Sequence, residues 1–279
     1  MVRLRELAGA AAFGIVATSV AALWPTVSDV HVTFKPDYIK LASLGDAVFG
    51  EKAQVVAQTA PMDPMAGPGP VADAQGRLRA KIPNPLYQYF DVYLYVSKAA
   101  SGSLAQHLYM FHKDASDNLV FEQSFPVSTG RERHEKYYTD TPEGLFQLDP
   151  DRFERMHYSH TWGGAAMPWA MFLNATIHGR QTGVALHSAT VHTAELGSRA
   201  SGGCVRLPPE KARELFERFH AEEQGMVPVF AYDAARRRTN GDGLTLRSID
   251  GRPVLVPGYK VLVFIEDYQG GPALVAVVA

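Results

Sequence analysis

Cys204 is the only cysteine in the chain, and it sits in Ser201-Gly202-Gly203-Cys204-Val205-Arg206-Leu207. One cysteine cannot close a disulfide within its own chain, so a structural staple is excluded. Gly202 and Gly203 leave the backbone before it bare, which lets a ligand approach closely. Arg206 follows by two residues; in an extended segment both side chains share one side, and a guanidinium there can hold an anion. His187 lies seventeen positions upstream. An imidazole near a thiol can take its proton and leave the nucleophilic thiolate. Plainer roles compete at each position. A free cysteine is often a small buried hydrophobe, Arg206 has an ordinary partner in Glu210, and Ser201 either bonds the His–Cys loop or caps a turn.

Taken in order along the chain, these residues resemble the catalytic domain of the L,D-transpeptidases (the YkuD-like family). The family motif is a histidine, a spacer, then Ser/Thr-x-Gly-Cys-hydrophobic-Arg/Asn, matched here by His187-Ser188 and by Ser201 to Leu207. Upstream, Val127-Ser128-Thr129-Gly130, Thr141-Pro142-Glu143-Gly144-Leu145-Phe146 and Met167-Pro168-Trp169-Ala170-Met171-Phe172 also look like the family. The resemblance covers roughly residues 88 to 232. It departs at Gly202, where many members carry His or Lys, and at Ser188, where Gly is frequent. Neither change removes a group that the reaction needs.

The resemblance implies acyl transfer on peptidoglycan stem peptides without a cofactor. Cys204 is the expected nucleophile and His187 the acid/base, oriented by the carbonyl of Ser188. The N–H groups of Gly203 and Cys204 suit an oxyanion hole, Ser201 and Gly202 shape the loop, and Arg206 grips a stem carboxylate. The expected donor is a tetrapeptide stem cut between an L-centre and a terminal D-residue. The acceptor is a second stem, a free D-amino acid or an amino group of an outer-membrane protein. With water in place of the amine, the same site is an L,D-carboxypeptidase or endopeptidase. A non-catalytic wall-binding module is the third reading. The resemblance also implies acylation by carbapenems.

Other residues imitate parts of this site. Ile177-His178-Gly179 looks like the family's Ile-His-Gly, but it stands too far from Cys204 and reads as a hairpin turn. His187, His192 and His157-x-x-His160 lack a supporting Asp, Glu or Cys group, so no metal is expected. Trp162 and Trp169 are either groove walls or core.

Composition is that of a globular chain, with 27 basic against 29 acidic residues. Arg236-Arg237-Arg238, the densest basic run, is too short for a nucleic-acid surface. At the N-terminus Arg3 and Arg5 precede an uncharged run from Leu7 to Trp24, ended by Pro25. This reads as an export signal, cleaved near Ser19-Val20-Ala21 or retained as an anchor. Either outcome places the rest in the periplasm or on the outer face of the cytoplasmic membrane. There an idle free thiol is a liability.

The elements that must position the site follow from hydrophobic patterning. After the signal or anchor (residues 1–24), residues 25–85 read as an N-terminal extension. It carries a short helix over Asp37 to Val48 and an extended Pro/Gly linker over 61–70. Residues 86–232 form the expected catalytic domain. It is mainly β with few helices, an α+β sandwich or open barrel. Aromatic and β-branched runs over 87–96, 106–113 and 119–127 suggest a meander. Further strands are expected over 144–148, 170–174, 183–186 and 227–232. Ala212, Leu215, Phe216 and Phe219 give a helix after the Cys204 loop one apolar face. Residues 233–258 read as loop. Runs at 259–268 and 272–279, split by Gly270-Gly271, read as a hairpin in a C-terminal β extension (233–279) beyond the domain.

Overall fold

The computed structural model describes residues 67–133 and 138–270. The expected signal or anchor, the helix over Asp37 to Val48 and the stretch 271–279 lie outside the described residues. Eight strands form one mixed sheet: β1 (Val92–Ser97), β2 (His107–Lys113), β3 (Leu119–Pro126), β4 (Gly144–Ser159), β5 (Ala165–Asn174), β8 (Ala185–Ser188), β9 (Val205–Leu207) and β14 (Val261–Glu266), in the order β3-β2-β1-β14-β4-β5-β8-β9. Between β5 and β8 lies a small hairpin, β6 (Thr176–Ile177) and β7 (Arg180–Gln181). The C-terminal part adds β10 (Gln224–Pro228) paired to β13 (Leu255–Tyr259), and β11 (Tyr232–Asp233) paired to β12 (Arg238–Thr239).

Strict alternation gives the sheet two buried faces. Val92, Leu94 and Val96 of β1 join Val261, Val263 and Ile265 of β14 under helix α3 (Pro209–Glu222), which inserts Ala212, Leu215, Phe216 and Phe219. Tyr93 and Tyr95 face the other way with Leu262 and Phe264, against helices α1 (Pro68–Lys81) and α2 (Asn84–Tyr87). A strand covered on both sides loses the alternating burial of a surface strand, and all six residues of β1 are buried.

The two edges of the sheet are joined. Ser128, just past β3, exchanges both main-chain hydrogen bonds with Arg206 of β9, at 3.0 and 2.9 Å. The sheet is therefore an open barrel stitched at the strand that follows Cys204, which satisfies the edge groups a lone β9 would expose.

Two expectations need correction. Pro68, Gly69 and Pro70 open a helix rather than continue a linker, because proline at the first helical positions lacks only an N–H that would be unpaired anyway. Ala74 and Leu78 then bury that helix against the sheet. The C-terminal region is not an addition outside a completed domain: β14 runs parallel to β1 and antiparallel to β4, in the middle of the sheet. The apolar run of β14 supplies strand pairing that β1 and β4 cannot give each other. Strands over 107–113 and 119–126 and the helix over 209–222 match the patterning, while β4 and β5 extend well past their apolar cores.

Candidate active site

Parallel pairing sets the site. β8 and β9 align Leu186 with Val205, His187 with Arg206, and Ser188 with Leu207. Alternation then puts Leu186, Val205 and Leu207 in the core below α3, and Ala185, His187, Cys204 and Arg206 on the opposite side. There Cys204 packs against Met167, Ala170, Phe172 and Ala185. The first three of these come from β5, which with β4 forms a long hairpin arm reaching beyond the sheet.

His187 is buried, and its Nδ1 lies 2.9 Å from the carbonyl of Ser188. A carbonyl only accepts, so Nδ1 carries the proton and Nε2 is left as the basic nitrogen. Burial lowers the imidazole pKa to about 4; the Ser188 bond opposes this, and the charge of Arg206 adds to it. Burial also pushes the Cys204 thiol up, against the lowering effect of a backbone bond at Ala185 and the charges of Arg206 and Arg152. The resting pair at neutral pH is thus a thiol beside a neutral imidazole. Cys204 Sγ lies 3.7 Å from the Gly183 carbonyl.

The loop before Cys204 is held from beneath. Ser201 Oγ donates to the Cys204 carbonyl and accepts from the Gly203 N–H at 3.1 Å, so Ser201 caps the turn. The Gly203 N–H, expected in an oxyanion hole, is bonded within the loop to Ser201. Gly203 itself adopts φ +118°, which only glycine takes without strain. Thr141 Oγ1 accepts from the Gly130 N–H at 2.8 Å and donates to the Gly203 carbonyl at 2.9 Å. Lys98 anchors Thr141. Its buried Nζ donates to the Thr141 carbonyl at 2.9 Å and to Glu132 at 3.0 Å, and pairs with Glu143 at 3.2 Å.

Two cavities meet at Cys204. One, of about 310 Å³, is lined by His187, Ser188, Ser201, Gly202, Arg206 and Trp162 among others. The other, of about 640 Å³, holds Arg152, Arg180, Arg238, His157, His160 and His178 along its walls. Trp162, Gly202, Ser159 and Met167 border both. A Cβ on Gly202 would lie 2.6 Å from the Trp162 ring, so the indole fills the space a side chain there would need. Trp162 is therefore a groove wall. Trp169 instead meets Phe216 of α3 edge-on, with centroids 5.5 Å apart.

The structure brings His187 to the cysteine side of the sheet. It leaves His178 on the turn between β6 and β7, at φ +52°, stacked on Tyr138. Arg206 pairs with Glu195, not with Glu210. Glu195 stands on a short 3₁₀ segment, Thr190–Glu195, and also bonds His192 Nδ1 at 3.1 Å. Sequence reading did not single out Glu195, Lys98 or Arg152, and it gave Thr141 only as the first residue of a family-like segment. Among the described residues no group of three or more His, Cys, Asp or Glu side chains is placed to hold a metal ion.

A mixed open barrel with one thiol and one carbonyl-bound imidazole on adjacent parallel strands defines a class of cysteine and histidine sites. The family model of the L,D-transpeptidase catalytic domain (YkuD) matches residues 92–256, and the chain belongs to that family. A search of curated proteins returns no match.

Proposed function

We propose that the protein is an exported, cysteine-dependent L,D-transpeptidase that forms or remodels peptidoglycan links through a thioester. The observation that carries this is the locked tautomer of His187: Nδ1 is committed to the Ser188 carbonyl, so Nε2 is free to take a proton on the side of the sheet where Cys204 sits. Cys204 attacks the peptide carbonyl as its proton passes to Nε2. The tetrahedral oxyanion is received at the Cys204 N–H, since Gly203 is occupied in the turn. Collapse breaks the C–N bond, and the imidazolium returns its proton to the departing amine. An acceptor amine then attacks the thioester, His187 takes its proton, and the thiolate leaves and is reprotonated.

Two cavities opening on one nucleophile support transfer over hydrolysis, because a donor and an acceptor must both reach Cys204. The N-terminal Arg-flanked uncharged run supports action outside the cytoplasmic membrane. Incubating purified protein with muropeptides, with and without an amine acceptor, followed by mass spectrometry, tests the proposal. Amine-dependent crosslinked or exchanged products are expected. Trimmed stems alone would assign hydrolysis, and no change in any stem would refute both.

A further inference from the structure

Arg206 is the cation nearest the sequence position of the nucleophile, and its guanidinium already has a partner. Its guanidinium, with 14% of the side chain exposed, faces the cavity shared by His187 and Cys204 and is paired through Nη1 with Glu195. The two partners are held very differently. The Arg206 main chain is bonded on both sides, to β8 and to Ser128, so the backbone that carries the guanidinium is fixed in the sheet. Glu195 ends a single short 3₁₀ segment interrupted by a non-helical residue, His192, and the surrounding Val191, His192 and Thr193 are exposed. Burial works against the charge on Glu195. The His192 bond and the Arg206 charge outweigh it and hold the carboxyl below its usual range.

We propose that Glu195 is a specificity-determining residue, its carboxylate keeping on Arg206 the place that a carboxylate of the incoming substrate takes by displacing it. The identity of that substrate as a stem peptide rests on the acyl-transfer reading above; the exchange at Arg206 does not. A neutral group offers a guanidinium less than the carboxylate it would replace, so it leaves the ion pair closed. An anionic group exchanges like for like, and the released Glu195 keeps its bond to His192. Glu195 thereby lowers affinity for substrates with a carboxylate beside the scissile bond, by the ion pair they must displace, and so narrows the site's preference for them over neutral ones.

The test uses the chain's single thiol. Cys204 is alkylated with iodoacetate, an anion, and with iodoacetamide, its neutral counterpart, in the intact protein and in Glu195→Gln. The ratio of the two rates cancels any general change in thiol reactivity. It should rise about fivefold in Glu195→Gln, the scale of a partly exposed ion pair. The rise should vanish in Glu195→Gln/Arg206→Gln and be absent in Glu210→Gln, an exposed helix acid. On stem peptides with a free carboxylate, Glu195→Gln should lower KM by a similar factor and leave kcat unchanged. An unchanged alkylation ratio in a folded Glu195→Gln protein, or a fall in kcat with KM unmoved, would overturn the proposal and make Glu195 a prop for Arg206. A raised ratio in a protein that turns over no stem peptide would uphold the exchange and refute the transpeptidase reading alone.

Discussion

Cys204 and His187 are both neutral at rest, and that has measurable consequences. Cys204→Ala should abolish acyl transfer and any mass increase with a carbapenem while keeping the fold, since a half-buried loop thiol gives up little packing. Turnover by a folded Cys204→Ala protein would end the thioester mechanism. His187→Ala should cost ~10²–10⁴-fold in kcat/KM, the usual worth of a lost acid/base, and His178→Ala, a change only in the cavity wall, far less. The imidazole also ties stability to pH. An unfolded histidine titrates near 6.5 and this one near 4 in the fold, so the unfolded chain binds the proton first as pH falls. Its contribution is complete above pH 6.5 and is lost down to about pH 4, a difference of ~3 kcal/mol. Urea unfolding across that window should therefore show a steeper loss for the native protein than for His187→Gln. Parallel profiles would mean that the imidazole is not desolvated.

At the scale of elements, the Cys204 loop depends on segments distant in sequence. The buried Lys98 ammonium, at the end of β1, ties down the segment carrying Thr141, which in turn bonds Gly130 and Gly203. Lys98→Met should cost about 1.5–3 kcal/mol, the range for hydrogen bonds to a charged group. It should also slow acylation of Cys204 by loosening the loop. Slowed acylation without lost stability, measured by denaturant unfolding, would mean that the lysine acts on the site by another route. The arm of β4 and β5 reaches the loop from the other side through Trp162. Gly202→His needs the volume that the indole occupies, so it should shift tryptophan emission, and this shift should disappear in a Trp162→Phe background.

For the whole molecule, the placement of β14 makes the fold a closed argument. A chain ended after Asp233 retains every residue of the proposed chemistry, yet it lacks the strand between β1 and β4. It should show no cooperative unfolding and no alkylation contrast between Cys204 and free thiol. A cooperative transition in that truncated protein would mean that β1 and β4 can pair without β14. The same closure explains how distant segments meet: β3 leads into Ser128, Ser128 pairs with the strand after Cys204, and the barrel carries its nucleophile at the seam.

Much of the site was legible from the chain alone, because its signals are local. A lone thiol among glycines, a histidine at a set distance and an arginine two residues on are read directly from residue order. The strands over 107–113 and 119–126 and the helix over 209–222 were legible for the same reason: periodicity reports which side of an element meets the core. Long-range pairing is different. Nothing in the run Val261 to Glu266 states that its neighbours are β1 and β4, so it looked like an appendage. Nothing around Pro68 separates a linker from a helix whose few apolar residues, Ala74 and Leu78, find a sheet to cover. The partner of Arg206 was likewise a tertiary decision. Glu210 lies near it in sequence, but the 3₁₀ segment brings Glu195 to the guanidinium instead. Residue types determined what chemistry was available; only the folded sheet decided which groups stand beside the thiol, because contact across a barrel seam is independent of separation along the chain.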